Sequence, residues 1–97
     1  MVVSTREIAD ISSWTISPNP VVTQGTLQVS LQAGRGFEGM FSLFNPAGQL
    51  VQSLGRHWIS SGNSNFEFKI EGLQAGIYYL ALDQEEGREV RRVVVTR

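Results

Sequence analysis

The stretch that decides the fold is "GLQAGIYYLAL", residues 72–82. Its second half alternates in the way that is typical of a β-strand. In immunoglobulin-like sandwiches, a tyrosine early in the penultimate strand bonds back to the preceding loop and forms a tyrosine corner. Gly76 would supply a backbone geometry that a side chain hinders. We therefore expect one face of this strand to turn to the core, with Tyr78, Leu80 and Leu82, and the other to hold Ile77, Tyr79 and Ala81.

Outward from this stretch, the rest of the chain follows the same pattern. Short apolar runs alternate with polar residues, and Gly, Pro, Asn and Ser interrupt them about every ten residues. The pattern predicts an all-β, immunoglobulin-like antiparallel β-sandwich of about seven strands. The predicted strands cover residues 14–16, 26–31, 37–45, 49–54, 66–70, 77–83 and 88–96.

Three polar segments are predicted to connect these strands. In "NPAG", residues 45–48, Pro46 fits the second position and Gly48 the fourth position of a type I turn. The segment "SSGNSN", residues 60–65, indicates a loose polar loop. The segment "EEG", residues 85–87, indicates a tight hairpin turn.

Composition excludes several classes of protein. The chain has 97 residues, which is the size of one domain, and its net charge of −1 creates no field that attracts nucleic acid or an anionic membrane. Cysteine is absent, which excludes disulfides and thiolate metal sites. No run approaches the roughly 18 apolar residues of a membrane span. The first ten residues do not resemble a signal peptide, so export would need a signal upstream in a longer precursor.

Catalytic and metal-binding groups are sparse. His57 is the single histidine, and the serines near it in sequence (Ser53, Ser60 and Ser61) carry no nucleophile motif, so we expect a surface histidine. The acids Asp83, Glu85 and Glu86 lack the alternating ligands of a calcium loop and favour a solvated turn. We predict no enzyme activity, no cofactor and no metal.

Two binding functions remain open on residue chemistry alone. Trp14, Trp58 and Tyr79 would form a sugar-binding platform if their rings lay together. An immunoglobulin-like or fibronectin-like adhesion or carbohydrate-binding module is therefore an alternative. The arginines near the C-terminus are interleaved with glutamates, which argues against nucleic-acid binding.

The order of four motifs is more specific. They are "ISPNPV" at residues 16–21, "FSLFNPAGQLV" at 41–51, "GLQAGIYYLAL" at 72–82 and "VRRVVVTR" at 90–97. This series resembles the C-terminal sorting domain of cargo proteins of the type IX secretion system of Bacteroidetes. The resemblance covers residues 14–97, and residues 1–13 would be a linker.

The resemblance also implies which residues form the recognition motifs. Pro18, Asn19 and Pro20 match the early Pro-x-Pro motif, and Gly48 matches the mid-domain turn, in which Asn45 replaces the common aspartate. The late motif Leu-x-x-Gly-x-Tyr and the terminal motif are matched by Leu73, Gly76, Tyr78, Arg92, Val93, Val94, Val95 and Arg97. Arg92 stands where the family commonly has lysine, so the charge is kept while the donor geometry differs.

The role implied by the resemblance is that of a sorting signal. A covalently joined upstream cargo would pass through the periplasm, and its C-terminal domain would be recognised by the outer-membrane translocon and shuttle proteins. A sortase would then remove the domain, and the cargo would reach the cell surface or the medium. The expected cut lies within residues 2–13 or upstream of Met1. No nucleic acid and no membrane insertion are implied, and the oligomeric state stays open.

The last strand is expected to combine anchoring with display. Val93 and Val95 share one face and would hold the strand in the core, each contributing about 1.5–3 kcal/mol when fully buried. Val94 and Arg92 would lie on the other face. Arg97 would then stand at one rim of the sandwich.

Overall fold

Eight strands form the fold, as described by a computed structural model for residues 11–22, 25–85 and 87–97. No helix occurs among the residues that the structure describes, which confirms the all-β prediction. In chain order the strands are β1 (Ile11–Ser17), β2 (Val21–Val22), β3 (Thr26–Ala33), β4 (Phe37–Phe44), β5 (Leu50–Ile59), β6 (Gly62–Lys69), β7 (Gly76–Gln84) and β8 (Gly87–Thr96).

The strands form two sheets that face each other across one core. One sheet has three strands in the order β1-β3-β6, and the other has five in the order β2-β8-β7-β4-β5. All pairs are antiparallel except β2 with β8, which is parallel. The short strand β2 is the one that the sequence did not predict. The sandwich prediction is confirmed, with one more strand and one parallel pair.

Strand β3 shows why the alternating pattern predicts this architecture. Leu27, Val29 and Leu31 are buried, while the residues between them are exposed. Side chains of successive strand residues point to opposite faces, so this alternation gives one core face and one solvated face. The neighbouring strand β6 brings Phe66 opposite Val29 and Phe68 opposite Leu27, which continues the core across the sheet.

The largest fully buried side chain, Phe41 on β4, lies against a group of rings contributed by both sheets. Its ring centroid is 5.1 Å from that of Phe68 and 5.4 Å from that of Phe66, and the rings are tilted by 51° and 54°. Such tilted contacts add to the effect of buried area. His57 on β5 joins this cluster, with its ring centroid 5.9 Å from that of Phe41.

Three local predictions were wrong. His57 is half-buried among phenylalanines, although a surface histidine was expected. The segment 60–65 is not a loose loop, because β6 begins at Gly62 and pairs with β3 along its whole length, leaving Ser60 and Ser61 as the connection. The first strand begins at Ile11, three residues before the predicted start at Trp14.

The predicted turn at residues 45–48 is present. The Gly48 amide donates to the Asn45 carbonyl at 3.0 Å. Gly48 has φ +87°, a backbone conformation that is unfavourable for residues with a side chain. The Asn45 side-chain oxygen also accepts from the amides of Ala47 and Gln49, at 3.0 and 2.9 Å. Asparagine therefore caps this turn as an aspartate would.

Candidate functional site

The side chain of Asn19 joins the early Pro-Asn-Pro segment to the last strand. Its Nδ2 donates to the carbonyl of Arg92 at 3.0 Å, and its Oδ1 accepts from the amide of Val94 at 2.9 Å. One side-chain amide thus satisfies a donor and an acceptor on the edge of β8, as a neighbouring strand would. Pro18 and Pro20, on either side of Asn19, are exposed.

Strand β2 continues this cover along the edge of β8. Val21 pairs with Val95 and Val22 pairs with Thr96. Val21 is fully buried, so the pairing is anchored in the core. Gly25 follows with an amide that donates to the Val22 carbonyl at 2.9 Å. The end of β8 is therefore held between β7 on one side and the segment from Asn19 to Val22 on the other.

We expect the replacement Asn19→Ala to loosen this end of β8 without unfolding the sandwich. The loss of two partly solvated hydrogen bonds should cost about 1 kcal/mol, and the Val94 amide should exchange with solvent roughly fivefold faster. Amide hydrogen exchange followed by NMR measures this directly. The matched control is Asn63→Ala, on the outer face of the three-stranded sheet. Unchanged exchange at Val94 in the Asn19 variant would contradict the role given to this amide.

The tyrosine corner predicted from residues 72–82 is present. The Tyr78 hydroxyl donates to the Gln74 carbonyl at 2.8 Å, and Leu73 packs against the core. Gly76, where β7 begins, has φ +155° and open space where a Cβ would stand. A substitution there is consequently opposed by backbone strain and not by a steric clash.

The variant Tyr78→Phe is expected to be less stable by about 1 kcal/mol, because it loses the corner hydrogen bond and keeps the ring. Urea denaturation should show the difference as a lower midpoint with an unchanged slope. Tyr79→Phe, one position along the same strand, is the control and should keep the midpoint of the parent. Equal midpoints for both variants would show that the corner bond contributes nothing to stability.

The four motifs meet at one end of the five-stranded sheet. Gly76 lies opposite Val95, so the corner and the end of β8 are neighbours. Phe44, the last residue of β4, lies opposite Tyr79, so the turn that contains Gly48 follows at the same end of the sheet. Strand β4 is two strands away from β8, which corresponds to about 10 Å. Arg97 lines a surface depression together with Leu73, Gln74 and Ala75. Residues far apart in sequence therefore form one continuous rim.

The last strand combines a buried and an exposed face, as expected. Val93 and Val95 are fully buried, while Val94 is half-buried and Arg92 is exposed on the other face. The side chains of Arg92 and Arg97 make no hydrogen bond or ion pair within the part of the chain that the structure describes. The rim thus presents two arginines that remain available to a partner.

The three aromatic residues considered for sugar binding do not form one platform. Trp14 is buried, donates from Nε1 to the Glu89 carboxylate at 3.0 Å, and is covered by Arg91 at 4.7 Å. Trp58 and Tyr79 are exposed, but they pair with positions of β4 that are six residues apart, which separates them by about 20 Å. Nothing in this arrangement favours the carbohydrate-binding alternative.

The acidic turn considered for calcium is occupied by an ion pair. Arg88 binds the Asp83 carboxylate through Nε and Nη2, and this hydrogen bonding raises the pKa of the arginine. Within residues 11–22, 25–85 and 87–97, no group of three or more His, Asp or Glu side chains is arranged to hold a metal ion. Glu86 lies outside the described residues. Over the same ranges, no helix is long and apolar enough to span a bilayer.

Comparison with known protein families finds a match that covers nearly all of the sandwich. A family model described as "Secretion system C-terminal sorting domain" matches residues 15–96. No curated protein matches the chain. The matched region starts within β1 and ends with β8, so it includes three of the four motifs and the terminal motif as far as Thr96.

Proposed function

The chain belongs to the family of type IX secretion system C-terminal sorting domains, and we propose that the translocon reads the rim formed by its four motifs. The family is one of sorting signals and not of enzymes. The observation that carries the proposal is the pair of hydrogen bonds from Asn19 to β8. They fix the early motif against the terminal motif, so that a partner meets both as one surface.

In this proposal the buried and exposed residues of the rim have different roles. Val93, Val95 and Tyr78 hold the strand ends in place through burial and the corner bond. Arg92 and Arg97 supply positive charge to the partner. Charges at the edge of an interface raise the association rate and select between partners, so a surface that presents arginines favours a partner with carboxylates.

The partners that we propose are the outer-membrane translocon and its shuttle proteins, a sortase that uses the domain as a substrate, and a covalently joined upstream cargo. Cargo of this secretion system is exported to the cell surface or the medium. Passage through the periplasm before that step is part of the proposal. The domain itself is proposed to have no catalytic role, no cofactor and no nucleic-acid partner.

We further propose that the sortase cuts before the folded sandwich. Residues 1–13 would act as the linker and residues 14–97 as the sorting domain. Proteases prefer accessible chain without regular pairing. Because Ile11 and Ser13 pair with β3, we propose a scissile bond before Ile11 or upstream of Met1. Mass spectrometry of the released domain gives its first residue, and a start beyond Ile11 would contradict this proposal.

An export assay tests the sorting role. The 97 residues are fused to the C-terminus of a fluorescent protein that carries an N-terminal export signal. The fusion is expressed in a type IX-competent bacterium and in a translocon-deficient strain. Fluorescence at the surface or in the medium of the competent strain alone is the expected result. Retention in the periplasm of both strains would overturn the proposed function and favour an adhesion module.

A further inference from the structure

The two outer faces of the sandwich differ in chemistry. Within the described residues, all seven exposed large hydrophobic side chains belong to the five-stranded sheet. The outer face of the three-stranded sheet is polar, and its side chains form hydrogen bonds with one another. Ser30 donates to Asn65 at 2.6 Å, and Gln28 donates to Glu67 at 3.5 Å. A solvated face needs no further partner, whereas clustered exposed apolar side chains mark an interaction site.

Four of these seven side chains are connected along the outer face by the strand register. Tyr79 on β7 lies next to Phe44 on β4, which lies next to Leu50 on β5. On one side of the Tyr79–Arg92 pair lies Ile77, and on the other side lies Val90, opposite Ala81. Neighbours in a sheet are about 5 Å apart across strands and about 7 Å apart along one face of a strand, so the side chains are contiguous. We call Leu50, Ile77, Tyr79 and Val90, with the half-buried Phe44, the apolar face.

Arg92 lies within this apolar face and has no ion-pair partner there. It stands directly opposite Tyr79 and between Val90 and Val94 on its own strand. The other two arginines of this face differ, since Arg88 pairs with Asp83 and Arg56 approaches Glu38 at 3.8 Å. Arg92 is therefore the cation of the face that the described residues leave without a carboxylate.

We propose that the apolar face, with Arg92, is the docking surface for a protein of the secretion machinery whose contact surface places apolar side chains around a carboxylate. This proposal rests on the proposed function and assigns the partner to one side of the domain. Tyrosine and arginine, with tryptophan, are the residue types enriched among those that contribute most to binding at protein interfaces. The molecule measures 40 by 30 Å in its two longest directions, so one face can supply the roughly 800 Å² that each partner of a stable complex buries.

Charge argues against a second copy of this chain as the occupant. The carboxylates on the outward strand positions of this face are Asp83 and Glu38, and each of these already faces an arginine. In face-to-face pairing, Arg92 would be desolvated without a compensating charge, which is unfavourable. A partner that brings its own carboxylate removes this cost.

Site-specific photo-crosslinking tests the docking surface in the exported fusion. A benzoylphenylalanine is placed at Tyr79 in one variant and at Gln32, on the polar outer face, in another. Illumination of the competent strain should give a crosslink to a component of the secretion machinery from position 79, identified by mass spectrometry, and at least roughly tenfold less from position 32. An equal yield from both positions overturns the proposal. A crosslink of two copies of the fusion from position 79 also overturns it, in favour of self-association.

A second pair of variants separates this proposal from the proposed function. The double variant Ile77→Ser, Tyr79→Ser alters exposed side chains and should keep the urea midpoint, while export falls roughly tenfold. The matched control is Ser30→Ala, Gln32→Ala on the polar outer face, which should export normally. Normal export of both variants overturns the docking surface and leaves the sorting role intact. Failure of the unmodified fusion to leave the periplasm overturns the sorting role, and the docking surface with it.

Discussion

Deleting Thr96 and Arg97 is expected to abolish export and to leave the sandwich folded. The deletion removes one pair between β2 and β8, Val22 with Thr96, while Val21 still pairs with Val95. The free energy of unfolding should therefore fall by only about 1 kcal/mol, the contribution of a typical hydrogen bond. The rim, in contrast, loses the arginine next to the corner loop.

The fluorescent fusion described above measures this effect. Surface and medium fluorescence should fall roughly tenfold or more, which corresponds to at least about 1.4 kcal/mol of lost recognition free energy. The control is Asn63→Ala, which alters an exposed side chain of the three-stranded sheet remote from the rim and should be exported normally. Export of the shortened domain at the parent yield would show that the last two residues are not read. A collapse of its urea midpoint would instead assign them a role in folding.

The largest effect on stability is expected for Phe41→Ala. Phe41 is fully buried, and its ring contacts those of Phe66, Phe68 and His57, so the truncation opens a cavity between the two sheets. Replacement of a buried phenylalanine by alanine costs about 3–5 kcal/mol. A domain of this size has a total stability of about 5–15 kcal/mol, so much of it would be lost.

Thermal and urea denaturation of the purified domain measure this loss. Tyr79→Ala is the matched control, because it removes an exposed aromatic ring from the same sheet and should cost less than about 1 kcal/mol. In the export assay, the Phe41 variant should fail together with its fold, whereas the Tyr79 variant should fail while folded. A Phe41 variant that unfolds like the parent would mean that the two sheets close around the missing ring.

Alternation and turn chemistry were sufficient to predict most of the fold. In β3 the apolar positions recur every second residue, which gives the face, and Pro46 with Gly48 gives the turn between β4 and β5. The corner at Tyr78 was predictable because a glycine two positions before a tyrosine provides the backbone geometry that a tyrosine corner uses. These signals are local, and each depends on residues within one strand or turn.

The missed features depend on contacts between distant parts of the chain. Two valines after a proline carry no strand pattern of their own, so β2 is apparent only once β8 lies beside it. The polar segment that begins β6 was predicted as a loop because both of its faces lack apolar residues near Gly62; its pairing with β3 is what makes it a strand. His57 was misplaced for a related reason, since the aromatic rings that surround it come from β4 and β6.

The residues of the candidate site are those that the sequence resemblance named, and their role stays a prediction, whereas their arrangement comes from the structure alone. The sequence resemblance named Asn19 with its two prolines, yet only the structure gives the amide its two partners on β8. No pattern pointed to the apolar face, because Ile77, Tyr79 and Val90 occupy outward positions of otherwise ordinary strands. The signal that the sequence offers for this face is the presence of apolar residues at those outward positions.

The hydrogen bonds of Asn19 also mean that the rim forms only when both ends of the sandwich are present and folded. They close loops of 73 and 75 residues, so the first and last parts of the sandwich must both be present and in register before the surface exists. Contacts of such long range form late, because most of the entropy of the chain must be lost before they can be made. A polypeptide that is truncated or still unfolded does not display this edge. Under the proposed function, machinery that binds this rim would engage completed, folded molecules and ignore immature ones, which would give export a quality check.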